Sequence, residues 1–174
     1  VVPTLSSLLR SQAAALSAQR VALAQSALVA SGVTCGARVA LLSHATVPFF
    51  IYSMAVIDLG DAVILSWRQP PSALIEMVRI SGSTRLIATP TLSAEARQID
   101  SEVSLQALYW LQAQASGATC GEVLPSLDAD ELAEALRAPT IPEPPMAERS
   151  GESTAVIMFT SGSTSTPKAV PLTH

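Results

Sequence analysis

Cysteine, aromatic rings and charge are all scarce in this chain of 174 residues. Its two cysteines, Cys35 and Cys120, lie far apart, and each stands beside a glycine. That count excludes a disulfide framework and a metal knuckle, and it reads as two separate thiols. Charged residues make up 14% of the chain and the net charge is −4, with no cluster of Lys or Arg. A basic face for nucleic acid is therefore excluded. The first residues lack a basic region followed by an apolar core and a cleavage site, so no signal peptide is read there. Together these absences point to an intracellular protein, cytoplasmic or organellar.

What is abundant is Ala, Leu and Val, within an apolar content of 49%. A chain of this length makes one domain or a large part of one, and it can bury about 70% of its unfolded surface. Small aliphatic side chains with few aromatics suit helices packed on a buried sheet. An uncharged run, Val39 to Ile57, spans 19 residues and poses a membrane alternative. A spanning helix needs about 20 predominantly apolar residues. Ser43, His44, Thr46 and Pro48 interrupt the run, and a strand, a polar turn and a helix account for it better.

The pattern predicts a long helix, or two, from Leu5 to Ala30, ended by Gly32. Arg38–Leu42 reads as a buried strand. Val47–Leu59 reads as a helix with Thr46 as N-cap, Pro48 in the first turn and Gly60 at its end. Ala62–Leu65 is a second strand, Ser72–Ile80 a helix and Arg85–Ala88 a third strand. Ser93–Ser116 reads as mostly helical. Asp128 with Glu131 predicts a capped helix running to about Arg137. Residues 139–153 hold four prolines and read as a surface linker. Ala155–Phe159 is a fourth strand leading into a Ser/Thr loop. Strands alternating with helices imply an α/β fold on a largely parallel sheet.

That loop carries the chemistry. After Thr160 come five hydroxyls, on Ser161, Ser163, Thr164, Ser165 and Thr166, with Gly162 among them and Lys168 at the exit. Phosphate oxygens need many short donors, which hydroxyls and successive backbone N–H groups supply. Gly162 frees the backbone, Pro167 stiffens it and Lys168 adds a cation. The Walker loop is a different pattern, because it runs into a helix. Here Ala169–Leu172 follows, which reads as a strand, so the loop joins two strands across residues 154–174. A flexible Ser/Thr-rich connector is the other reading that composition allows.

The order of residues resembles the phosphate-loop signature of the adenylate-forming superfamily, [FY]-T-S-G-[ST]-T-G-x-P-K-[GA]-V-x-x-[ST]-H. Phe159, Thr160, Ser161, Gly162, Ser163, Thr164, Pro167, Lys168, Val170, Thr173 and His174 match it. Upstream, Gly32-Val33 with Gly36–Leu41 is similar to the family's G-V-x-x-G-D-R-V-A-L stretch, and Ser66-Trp67-Arg68 to the N-W-R of many acyl-CoA synthetases. Four departures stand out: Ser165 replaces a Gly, Ala37 an Asp, and Asp58 and Asp61 replace Lys and Ala.

The resemblance implies part of the large N-terminal domain of an AMP-dependent synthetase/ligase, of the acyl-CoA synthetase kind. It implies nucleotide binding by Thr160, Ser161, Gly162, Ser163, Thr164, Ser165, Thr166 and Lys168. ATP would activate a small-molecule carboxylic acid as acyl-AMP, with CoA as co-substrate and Mg2+ held by a ligand outside this chain. The family's magnesium, ribose and catalytic-lysine motifs lie downstream of the loop, so the fragment alone is expected to be inactive. A non-catalytic relative that binds nucleotide weakly, or acts only as an interaction module, remains the alternative. His44 lacks ligand spacing and reads as structural or solvent-exposed.

Overall fold

Short runs of β-branched and aliphatic residues, separated by helices, build the sheet. The computed structural model describes residues 5–111, 121–125, 150–160 and 167–174, with side chains from residue 18 onward. Within these, helices α1 (Leu5–Ala30), α2 (Val47–Leu59), α3 (Pro71–Ser81) and α4 (Ser93–Val103) alternate with strands. The strands are β1 (Arg38–Leu42), β2 (Asp61–Leu65), β3 (Arg85–Ala88), β4 (Ala107–Leu111), β5 (Glu122–Leu124), β6 (Thr154–Thr160) and β7 (Lys168–Thr173). They form one sheet in the order β5-β4-β3-β1-β2-β6-β7. All neighbours pair in parallel except β6 and β7, which are antiparallel. The fold is therefore α/β on a mostly parallel sheet, as the alternation of strands and helices implied.

Alternation along the strands divides the core in two. Val39, Leu41, Ala62 and Ile87 face α1 and α2, while Ala40, Leu42, Val63, Leu86 and Ala88 pack against α3 and α4. Side chains buried on both faces explain why β1 reads as a continuous apolar run. The Val39–Ile57 run divides into β1, a polar turn and α2. Among the described residues no helix is long and apolar enough to cross a membrane.

The caps follow the residue types. Thr46 Oγ1 accepts from the Phe49 N–H at 3.4 Å, with Pro in the first turn of α2. Gly82 ends α3 in the left-handed region at φ 69°, which glycine adopts without strain. Gly60 has an extended φ, so freedom is not its reason; a Cβ there would overlap the Ala37 carbonyl oxygen.

Two expectations need correction. The helix expected over Ser93–Ser116 stops at Val103, and Ala107–Leu111 is a strand. Ser104 takes a left-handed φ of 56°, its N–H bonds to Asp100 O, and the Asp100 carboxylate accepts from Leu105 N at 3.3 Å. Beyond that break Tyr109 and Trp110 point to opposite faces, each 1% exposed, as strand-favouring aromatics do. Strand β5 was not anticipated, since three residues carry no readable period. The helix expected over Asp128–Arg137 and residues 139–149 of the expected linker lie outside the described residues, as do residues 112–116 of the expected helix.

One ion pair fastens the centre. Asp61 Oδ2 accepts from Arg38 Nη2 at 2.9 Å and from Nε at 3.1 Å, and Arg38 Nη1 donates to Ser81 O at 2.5 Å. The arginine so joins β1, β2 and the end of α3. The acid that the family pattern places at position 37 is Ala here, and the carboxylate reaches Arg38 from position 61 instead. Asp61→Ala should lower stability by about 1–2 kcal/mol, since charged hydrogen bonds are lost at a half-exposed arginine. Asp61→Asn, which keeps one acceptor, should cost less. Urea denaturation of both variants checks this; an equal or larger loss for Asn would contradict it.

Candidate functional site

Because β1, β2, β3 and β6 run the same way, the segments that leave them emerge at one edge of the sheet. Ligands of open α/β sheets bind at this carboxyl edge. The end of β6 and the start of β7 lie at it. Thr160 and Lys168 are register partners in the antiparallel β6–β7 pair, so they close the ladder at the base of the loop. Both are exposed. A hydroxyl and a cation thus stand side by side where the chain enters and leaves the expected phosphate loop. Strand–loop–strand is the observed connection, and β7 follows directly where a Walker loop would begin a helix. Ser161, Gly162, Ser163, Thr164, Ser165 and Thr166 lie outside the described residues.

Position in the sheet gives the loop its neighbours. Strand β6 pairs with β2 through Ala62↔Val156 and Val63↔Ile157. Beyond those pairs β6 runs on to Thr160, and β2 runs on to Leu65 before Ser66. There the chain turns, with Gln69 N–H bonded to Ser66 O at 3.0 Å. Trp67 is 42% exposed, and the His44 ring meets it edge-on at 4.6 Å and 68°. The Arg68 guanidinium lies over the indole, 5.1 Å from its centroid. His44 leaves β1 at the same edge. This is a contact that sequence spacing could not reveal, because the two rings lie on segments that follow different strands.

On the flank, α2 carries a half-buried acid. Asp58 Oδ2 accepts from Gln25 Nε2 at 2.6 Å. Burial raises the Asp58 pKa above its ordinary 3.8, while the charge of His174 and the Gln25 hydrogen bond pull it back. A carboxyl whose folded pKa is raised contributes most below its unfolded pKa and loses that contribution as pH rises through the folded value. Asp58→Asn, which keeps an acceptor for Gln25, should therefore stabilise the chain near neutral pH. The gain should vanish in acid below the ordinary carboxylate value. Thermal melts across this range check it, and a gain that grows in acid would contradict it.

Two further features complete the surroundings. Tyr109 donates from its hydroxyl to Ser31 O at 2.9 Å, and burial raises its pKa. It lies in the core beside α1, away from the loop. Among the described residues no three His, Cys, Asp or Glu converge to hold a metal ion.

The profile of the family described as AMP-binding enzyme matches residues 14–174. Among solved structures, the N-terminal domain of FACL13 from Mycobacterium tuberculosis is 31% identical, with a TM-score of 0.62 over 92% of this chain and 37% of that one. A Mycobacterium tuberculosis fatty acyl CoA synthetase is 30% identical, at TM-score 0.56, over 89% of this chain and 28% of that one. A red-emitting luciferase from Phrixothrix hirtus, 19% identical, shares the fold at TM-score 0.70 over 91% of this chain and 38% of that one. This chain therefore spans little more than a third of the length of such proteins, or less. No curated protein matches it.

Proposed function

Since this chain belongs to the AMP-binding enzyme family, we propose that it forms the phosphate-binding part of a ligase that activates a carboxylic acid with ATP and transfers the acyl group to CoA. Residues 1–174 are, in this reading, part of such an enzyme's N-terminal domain. The observation that carries it is the Thr160–Lys168 pair at the base of the loop after β6, on the edge where Trp67 and Arg68 emerge. The 30% identity to a fatty acyl CoA synthetase favours CoA as acceptor and an aliphatic acid as substrate.

In the first half-reaction a carboxylate oxygen attacks the α-phosphorus of ATP, and the bond to the bridging oxygen of pyrophosphate breaks. Pyrophosphate leaves with that electron pair, and acyl-AMP forms. Lys168 and the hydroxyls of Thr160, Ser161, Ser163, Thr164, Ser165 and Thr166 would hold the β- and γ-phosphates, with Gly162 letting the backbone approach them. Charge that grows on the departing pyrophosphate is then met by donors already in place. In the second half-reaction the CoA thiol gives up its proton to solvent and its sulfur bonds to the acyl carbon, while the acyl carbon–oxygen bond breaks and AMP departs with that electron pair. Mg2+ would neutralise phosphate charge as it enters with the nucleotide. No described residue is assigned to it.

Binding of ATP to the chain, measured by calorimetry, tests this reading. Lys168→Ala should weaken it about ten- to a hundredfold, because a hydrogen bond to a charged group is worth about 1.5–3 kcal/mol. Ser163→Ala should cost less, since neighbouring donors and water replace one hydroxyl. A larger loss for Ser163→Ala than for Lys168→Ala would refute the role of Lys168, and no binding by the unmodified chain would refute the reading. In the longer enzyme, Lys168→Ala should slow acyl-AMP formation more than acyl transfer in single-turnover measurements.

A further inference from the structure

Residues directly opposite in an antiparallel pair share one face, so the register of the β6–β7 hairpin sorts its side chains. Ile157 and Phe159 pack into the core beside α3 and α4, and their partners are Pro171 and Ala169. The other face carries three rungs: Thr160–Lys168, Met158–Val170 and Val156–Leu172. It looks to the side of the sheet that holds α1 and α2, where Ala62, the partner of Val156 on β2, is buried. There Val156 is half-buried, while Met158 is 47% exposed, Val170 38% and Leu172 46%. A sheet of this class ordinarily has both faces covered, and an apolar strip left open marks a binding surface. The polarity of this strip runs one way. A cation and a hydroxyl stand at its carboxyl-edge end, and the two rungs behind them carry only aliphatic side chains and a thioether. Rungs of one face lie two residues apart, so the strip is about 14 Å long from Thr160 to Val156.

We propose that this face of the hairpin seats a medium-chain aliphatic carboxylate. Its carboxylate meets the Thr160–Lys168 rung, and its alkyl chain lies along Met158, Val170, Val156 and Leu172. One cation at the end of an apolar track complements an anion with a single hydrocarbon tail. The ammonium attracts the head group, and the tail removes exposed apolar surface from water. This rests on the reading of the chain as part of a carboxylate-activating ligase, and it names the class of acid. It sets the acid's oxygens at the edge to which that reading brings ATP.

Calorimetry of the full chain with straight-chain acids from butanoate to tetradecanoate tests this, without ATP and below micelle-forming concentrations. Affinity should tighten about two- to fourfold per methylene until the strip is filled, then level off. Decanoate should bind about three- to tenfold more tightly than decanol, and Lys168→Gln should abolish that difference. Met158→Ser and Val170→Ser should each weaken decanoate severalfold and butanoate hardly at all. Affinity that ignores chain length, or decanol binding as well as decanoate, would overturn the inference. So would serine variants that leave decanoate binding intact but turn a self-associated chain into a monomer in sedimentation, since the face would then join two copies. If ATP binds and decanoate does not, the inference falls and the phosphate-loop reading stands. If decanoate binds as described and ATP does not, the acid track stands and the phosphate-loop reading falls.

Discussion

The arrangement of the site depends on the pairing of β6 with β2. Two register pairs, Ala62↔Val156 and Val63↔Ile157, join a hairpin from the end of the chain to strands laid down nearly a hundred residues earlier. Parallel pairing forces the exits of both strands to one edge, so Thr160 at the end of β6 and the Trp67–Arg68 turn after β2 lie on the same edge. An antiparallel join would have sent them to opposite edges. Ile157 anchors the join in the core shared with α3 and α4, among Val63, Leu65 and Leu86. Burying such side chains contributes about 1.5–3 kcal/mol each, which offsets the cost of closing so long a connection.

The central strands support that join. Arg38 ties the start of β1 to Asp61 on β2 and to the Ser81 carbonyl at the end of α3. Gly60 lets the turn between α2 and β2 press against Ala37, and the Asp61 N–H bonds to Ala37 O at 3.0 Å. The family pattern carries its acid beside the arginine, at position 37. This chain carries it across the strand pair, with Ala at 37 and Asp at 61. Read together, the two departures keep one carboxylate within reach of Arg38. Asp58, a third departure, is held by Gln25 of α1 on the other side of α2.

Most of this architecture was legible because strong local signals agreed with the global fold. Thr46, Pro48, Gly60 and Gly82 punctuate α2 and α3 where residue chemistry says they should, and β1 to β3 are apolar runs of the right length. Sequence and structure part where a weak local signal competes with a strong one. A polar, helix-favouring stretch before Ser104 hid the left-handed break there, and Tyr109-Trp110 was absorbed into the helix although aromatic pairs favour strands. The loop signature was legible as an ordered string of residue types. The His44–Trp67 contact was not, because it exists only once β1 and β2 lie side by side.

The central claim is that the loop between β6 and β7 holds nucleotide phosphates. A residue-resolved measurement tests it most directly: the amide resonance of Gly162 followed by NMR as ATP, pyrophosphate or adenosine is added. The account predicts that ATP and pyrophosphate move the Gly162 resonance, and that both effects are reduced by Lys168→Ala. It predicts that adenosine, which lacks phosphates, leaves Gly162 in place. A Gly162 resonance unmoved by ATP and pyrophosphate, or moved equally by adenosine, would contradict the account.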